Sequence, residues 1–306
     1  MNGVLVIDKP AGPTSHDVVA VARRVLGGAR VGHTGTLDPL ATGVLPLVVG
    51  RATRLASFLT GADKEYVARI RFGLATQTYD AEGLTGLEER ASIAGLTEST
   101  VKNALAAFVG RYLQAPPPFS AKKIGGTPAY KLARRDEVVE VRSVEVAATE
   151  VVLRSFAGGV AEVHLVCSSG FYVRSLAHDL GVRLGCGAHL EALRRTRSGE
   201  FTLTDAVTLD VIATAPRDAI TRNLVPMERL LSQLPALVLT VPGAKRISHG
   251  ADVGPADLAA HLRSDDADSP NSQRATRFRL LDGAGALIAL AEPRADGSLH
   301  PVLVLV

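Results

Sequence analysis

The sequence predicts an α+β protein: an antiparallel-rich mixed sheet flanked by helices, followed by a small, mostly-β C-terminal domain. Three observations predict it. Strand-like segments come in runs instead of alternating with helices, which argues against a regular βαβ array. Two of those segments, Lys64–Phe72 and Val160–Cys167, alternate apolar and polar residues with period two, as half-buried strands do. Past Leu234-Pro235 the chain breaks into short apolar segments with turn residues between them. At 306 residues, 46% hydrophobic and 21% charged, it can bury a core in each of two domains, and disorder is excluded for most of its length. Trp is absent and aromatics are only 4%, so Val, Leu, Ile and Ala must build that core and a Tyr in a polar motif stands out.

The elements follow in order. Gly3–Ile7 reads as a strand. Val18, Val19, Ala22, Val25 and Leu26 mark one face of a helix, with Thr14 or Ser15 as its N-cap and Gly27 past its end. In Lys64–Phe72, Tyr66, Ala68, Ile70 and Phe72 share one face, with Arg69 and Arg71 on the other. Val101, Ala104, Leu105 and Phe108 mark a helix stopped near Gly110. Gln114–Gly126, with three consecutive prolines and Gly125-Gly126, is expected to be all loop. Val138–Leu153 and Val160–Cys167 read as strands, and Tyr172–Leu184 as a helix. Met227–Leu231 reads as an apolar helix before the boundary that divides domains 1–234 and 235–306. Ala236–Thr240, Arg277–Leu281, Leu287–Ala291 and Val302–Val306 read as the strands of the second domain, with a hairpin turn over Asp282-Gly283-Ala284-Gly285.

Composition narrows the function. No uncharged apolar run reaches the roughly 18 residues that span a bilayer. Met1–Val6 precedes Asp8 and Lys9 with no charged leader or long apolar core, so a cytoplasmic protein is expected. Cys167 and Cys186 have no C-x-x-C partner, which suggests neither a zinc site nor a disulfide framework. The net charge of +3 says little, but its distribution says more: residues 1–75 carry +4 and 101–142 carry +5, against −4 in 76–100 and −1 in 237–306. Two basic stretches on a balanced background suit a polyanion lying on one surface, or simply solvated faces.

The segment that carries chemistry is Val31–Gly43, reading V-G-H-T-G-T-L-D-P-L-A-T-G. Three glycines and Pro39 make it an irregular loop, and the residue before a proline is steered away from helical angles. Such a loop holds the Asp38 carboxylate out from the backbone. The competing reading, Asp38 as N-cap of a helix starting at Pro39, meets Gly43 within a turn and would cap almost nothing. On spacing alone both readings stand.

This loop closely resembles the active-site motif of the TruB-type tRNA pseudouridine synthases, G-H-x-G-x-L-D-P-x-A-x-G. Four further segments resemble that family's motifs in the same order: Asp8–Ser15, Lys64-Glu65-Tyr66, Gly170–Gly181 (G-F-Y-V-R-S-L-A-H-D-L-G) and Leu193–Gly199. Phe171 departs from the family's usual Thr, with Tyr172 and Arg174 kept. The resemblance implies the pseudouridine synthase fold with a PUA-like C-terminal domain, and isomerisation of uridine 55 in the TΨC loop by base flipping. No atom or electron is gained in that reaction, so it implies no cofactor and no metal. Asp38 is implied as the catalytic carboxylate, Arg174 as the guanidinium that keeps it ionised, and Tyr66 as the ring stacked on the flipped uracil. Tyr172 and Leu193 are implied to close the pocket and His33 to help open the RNA loop. Lys9 and Lys64 are implied to support RNA phosphate or the loop bearing Asp38.

Lys122, Lys123, Lys131, Arg134 and Arg135 lie in a basic insertion, about 115–142, that corresponds to the family segment closing over RNA. Arg194, Arg195 and Arg197 add a second basic cluster, and Lys245, Arg246 and His249 a fainter one toward the acceptor arm. The implied partner is the tRNA T stem-loop, bound by a monomer without an obligate protein partner or a membrane. Two rivals remain: a tRNA-binding or folding helper without turnover, and a guide-RNA-dependent synthase. The first binds RNA without isomerising it; the second usually has partner proteins and a charged tail, which Pro301–Val306 is not.

Overall fold

The computed structural model describes residues 1–84, 91–119, 142–259 and 276–306 in full, and the backbone alone of 123–124, 127–128 and 260–261. The chain opens with β1 (Gly3–Lys9) and α1 (Ser15–Val25). Thr14 caps α1 reciprocally: its hydroxyl accepts from Asp17 N at 3.1 Å, and the Asp17 carboxylate accepts from Thr14 N at 2.8 Å. β2 (Val31–His33) and β3 (Thr42–Val49) flank the loop that bears Asp38, and α2 (Ala56–Thr60) leads into β4 (Lys64–Phe72). Then come α3 (Glu98–Leu105), β5 (Gly110–Gln114), the paired stubs β6 (Lys123–Ile124) and β7 (Thr127–Pro128), and a hairpin of β8 (Val144–Ala157) and β9 (Val160–Cys167). α4 (Val173–Arg183) returns to β10 (Ala188–Ser198). Short elements close this part: β11 (Phe201–Thr202), β12 (Val207–Thr208), α5 (Leu209–Thr214), α6 (Arg217–Arg222) and β13 (Val225–Pro226).

The main sheet runs β12-β1-β3-β10-β4-β9-β8-β5, with β2, β11 and β13 on its margins. Only β1/β12 and β3/β10 pair in parallel along this path, so the expected antiparallel-rich sheet is what forms. A separate five-stranded sheet follows, ordered β15-β14-β16-β17-β18, built from β14 (Ala236–Leu239), β15 (Leu258–His261), β16 (Phe278–Leu281), β17 (Leu287–Pro293) and β18 (Leu299–Val304), with α7 (Val241–Ser248) beside it.

Period-two alternation in β1 divides its side chains between two cores. Leu5 and Ile7 face a core completed by Val18 and Ala22 of α1, Val101 and Leu105 of α3, and Leu176 and Leu180 of α4. Val4 and Val6 face the opposite side, where Val44 and Val48 of β3 meet Leu281, Leu287 and Leu290 of the C-terminal sheet and Leu305 just after it. That sheet therefore closes the back of the main one.

Four expectations need correction. Gln114–Gly126 is not all loop, because Gln114 ends β5 and residues 123–124 pair with 127–128. The helix expected at Met227–Leu231 is a single 3-10 turn, Met227–Arg229, ended by an extended Leu230 and by Leu231 at φ +57°. The strand expected from Val138 begins at Val144 and runs on to Ala157, residues 138–141 lying outside the described part. The last strand is shifted, Leu299–Val304 instead of Val302–Val306. β10, α5, α6 and α7 are additional to the sequence reading.

Candidate active site

The loop between β2 and β3 has no regular structure, so its backbone groups need partners from elsewhere. Buried side chains supply them. Lys9, fully buried at the end of β1, donates through Nζ to Pro39 O at 3.2 Å, Ala41 O at 2.7 Å and Pro10 O at 2.9 Å. Ser15 Oγ donates to Leu37 O and accepts from Leu37 N, at 3.1 and 2.9 Å. Arg195 of β10, 1% exposed, donates from Nε to Val44 O at 2.6 Å and from Nη2 to Gly35 O at 3.1 Å. No helix starts at Pro39; Asp38 O accepts from Ala41 N at 3.0 Å in a tight turn, and its carboxylate is left for other work.

That carboxylate meets Arg174, in the first turn of α4. Arg174 Nε lies 2.9 Å from Asp38 Oδ2 as an ion pair, and Nη2 donates to Oδ1 at 3.3 Å. The arginine side chain is 7% exposed and the aspartate 35%, so the guanidinium is enclosed while the carboxylate reaches a cleft. The other side of the guanidinium is held by Thr78 O (3.0 Å from Nη1), Phe119 O (2.9 Å from Nη2) and Asp80 Oδ2 (3.4 Å from Nη1). Burial pushes the Asp38 carboxyl above the usual aspartate range; Arg174 and Lys9 oppose that shift, and Asp80 adds to it. The pairing expected from sequence is present, and it moderates the loss of hydration without overcoming it.

The cleft holds about 260 Å³, near the lower end of what small-molecule pockets offer, roughly 300–1,000 Å³. Its size suits one flat ring. Asp38, Tyr66, Tyr172, Arg174 and Leu193 all line it, with Phe171 in its wall. Tyr66 sits on the inner face of β4 with its hydroxyl pKa raised by burial and the Arg195 guanidinium opposing. Gln114 fixes the Tyr172 backbone from both sides, accepting from Tyr172 N at 2.8 Å and donating to Tyr172 O at 3.1 Å.

Lys64 and Arg195 also line the cleft; the other expected residues fall elsewhere. His33 is outside the cleft lining, edge-on to His16 with ring centroids 5.9 Å apart, and its Nδ1 accepts from Gly35 N at 3.4 Å. Burial lowers its pKa, which favours a neutral imidazole. Lys9 and Lys64 are both buried, and burial lowers each to about 8. Lys64 Nζ donates to Thr60 O and Ala62 O, both at 2.5 Å, so the ammonium groups of both lysines are engaged by backbone carbonyls and brace loops. Arg195, expected on a basic surface, is interior for the same reason. Arg194 grips Asp8 with two bonds (3.1 and 2.8 Å) and Arg197 pairs with Glu65 at 3.2 Å, so that cluster is largely neutralised. Lys122, Lys131, Arg134, Arg135 and the Lys123 side chain lie outside the described residues. Asp80, 2% exposed, is the site carboxylate that sequence reading misses: it lies in the acidic stretch 76–100, and net charge does not tell a buried acid from a solvated one.

Comparison with known proteins agrees with this arrangement. Residues 23–173 match the model of the TruB family pseudouridylate synthase N-terminal domain, and residues 174–232 that of the tRNA pseudouridylate synthase B C-terminal domain. The chain is 43% identical over 307 residues to tRNA pseudouridine synthase B of Solibacter usitatus (strain Ellin6076), covering 100% of both chains. It is 40% identical to the protein of that name from Burkholderia mallei (strain NCTC 10247), covering 100% of this chain and 97% of the relative. Among solved structures, one of a Cbf5-Nop10-Gar1 complex matches with a TM-score of 0.72 and 26% identity, over 99% of this chain and 85% of that one. A carboxylate-guanidinium pair at a base-sized cleft, on a fold and sequence shared from end to end with these relatives, leads to one conclusion: the chain belongs to the TruB family of tRNA pseudouridine synthases, which are isomerases.

Proposed function

We propose that this protein converts uridine 55 of the tRNA TΨC loop to pseudouridine, taking the flipped base into the cleft beside Asp38. The observation that carries the reading is the Asp38–Arg174 pair at the mouth of a cleft with room for one pyrimidine. The reaction breaks the N1–C1′ bond, forms C5–C1′, and exchanges the C5 proton for one on N1, so reactants and product have the same atoms. Attack at C1′, addition to the base and abstraction of a sugar proton all need an ionised carboxylate oxygen shielded from bulk water, and that is the role this reading gives Asp38 once the base fills the cleft. Tyr66 offers a ring on which uracil can stack while it turns, since stacking tolerates rotation better than a directed hydrogen bond. Tyr172 and Leu193 narrow the cleft around the base, and His33, behind the loop, assists entry of the RNA loop. Base extraction costs unstacking energy that contacts to the surrounding RNA offset.

Residues 1–234 form the catalytic part in this reading and 235–306 a PUA-like part reaching toward the acceptor arm, with the chain acting as a cytoplasmic monomer. Among the described residues no helix is long and apolar enough to cross a membrane. Asp38→Asn, which preserves shape and removes the charge, tests the proposal. It is expected to bind tRNA normally and to release no tritium from tRNA labelled at uridine C5. Ordinary turnover by that variant overturns the role of Asp38. Turnover by the isolated wild-type chain on bare tRNA separates this reading from both a non-catalytic helper and a guide-dependent synthase.

A further inference from the structure

Arg174 and His178 stand four residues apart in α4, and so lie on one face of the helix. One short piece of chain meets both. Thr78 O and the Asp80 carboxylate hold Arg174 Nη1 at 3.0 and 3.4 Å. Between them, the Tyr79 ring lies flat on the His178 imidazole, with centroids 3.8 Å apart and planes 8° from parallel. Burial lowers the pKa of His178 although Asp179 beside it opposes, so the contact is between two uncharged rings.

Tyr79 adopts φ of +64°, a left-handed conformation unfavourable for a bulky side chain. The turn's backbone bonds, Tyr79 N to Thr76 O at 3.2 Å and Leu190 N to Tyr79 O at 2.9 Å, require no ring; glycine or asparagine makes them with less strain. What a tyrosine adds at this position is the stack. Strain of this kind persists only where the surroundings over-determine it.

We infer that the Tyr79–His178 stack is a positioning device for the site: it docks the 78–80 turn onto α4 one helical turn beyond Arg174, and thereby sets how Thr78 O and Asp80 aim the guanidinium at Asp38. Neither ring lines the cleft. The inference rests on the proposed role of Asp38, and the experiment keeps the two apart. His178→Leu keeps volume without a stackable face; His178→Phe keeps the face. Single-turnover rates, tRNA affinity and Tm are measured for both, alone and in an Asp80→Asn background, with Asp38→Asn as the control.

His178→Leu is expected to slow the chemical step about tenfold with tRNA affinity within about twofold, a loss on the scale of misplaced reacting groups. His178→Phe is expected to recover most of that rate. In Asp80→Asn, His178→Leu is expected to add little, because the stack acts through Asp80. Equal losses for Leu and Phe, a wild-type rate for Leu, or full additivity with Asp80→Asn overturns the inference. Should His178→Leu fail to fold, Tyr79→Leu against Tyr79→Phe gives the same contrast. Turnover by Asp38→Asn shows instead that the underlying reading has failed.

Discussion

At Asp38 the loss of hydration and the nearby Asp80 favour the neutral acid, Arg174 and Lys9 favour the anion, and the net result is a pKa above the usual value of about 3.9. A carboxylate that must be ionised to react becomes competent only as the pH climbs through that raised value. The single-turnover rate is therefore expected to fall on the acid side at a higher pH than an ordinary aspartate would give. Arg174→Gln removes the largest influence favouring the anion, so the acid limb moves to still higher pH and the single-turnover rate measured on that limb falls. A pH–rate profile unchanged in shape contradicts this account. Lys9 gives a second test. Lys9→Met takes the Nζ donor from Ala41 O, at a cost of about 1–3 kcal/mol, while Pro39 O keeps the Gly12 N–H at 2.9 Å. The rate and Tm fall, while the salt dependence of tRNA binding keeps its slope; a phosphate contact at Lys9 would instead lower that slope by about one. Sequence reading places Lys9, Lys64 and Arg195 toward RNA or loop with equal ease, because a basic side chain advertises charge and not direction. Asp38 and Arg174 are legible because their neighbouring residues form an ordered motif, and Asp80 is hidden because it has no such signature.

β3 and β10 cross in parallel where Gly43 is paired with Arg195, and the geometry leaves no room for a side chain. Gly43 has φ of +102°, and a Cβ placed there would lie 2.1 Å from Arg195 O. Gly43→Ala therefore pushes apart the two strands that fix the Asp38 loop and the Arg195 brace. The backbone conformation alone costs about 1–3 kcal/mol in a residue other than glycine, and the steric overlap adds to it. Thermal denaturation is expected to show a Tm lower by about 5 °C or more, using roughly 2–4 °C per kcal/mol for chains of this order of size. A Tm indistinguishable from that of the wild type contradicts the crossing constraint. Elements with an unbroken period were legible: β4 and β9 have the bounds that alternation predicts, and α1 starts at one of its two expected caps. β10 was not, because bulges between Leu190 and Ala192 and between Arg195 and Arg197 interrupt its alternation while leaving it central in the sheet. α7 was hidden by Pro242 and Gly243, which read as breakers although Thr240 caps the helix and a proline suits its first turn.

On the scale of the molecule, the boundary near Leu234-Pro235 separates two sheets that share one core between them, while Leu237, Leu239, Ile247, Leu280 and Ile288 form a further cluster within the C-terminal part. Val4, Val6, Val44 and Val48, on the back of the main sheet, are buried in one cluster with Leu281, Leu287 and Leu290 of the C-terminal sheet and Leu305 just after it. Composition marks where one run of strands ends, yet it cannot say that both runs turn apolar faces toward each other, since a strand buried on two sides reads as continuously apolar from either end. The chain is accordingly expected to unfold as a unit. Leu290, fully buried in that cluster, is the place to ask. Leu290→Ala removes packing from the shared core at a cost of about 2–5 kcal/mol, depending on how far the site collapses. Because both sheets line the cavity, calorimetry of the variant is expected to show one transition shifted down as a whole, with enthalpy still that of the entire chain. An independent C-terminal domain would instead yield two transitions, of which only the smaller moves. Truncation after Leu234 makes the same point without a cavity: it bares the valine face of β1 and β3, and the shortened chain is expected to melt lower than the full chain and to associate in solution, whereas a self-sufficient catalytic domain would keep both its Tm and its monomeric state.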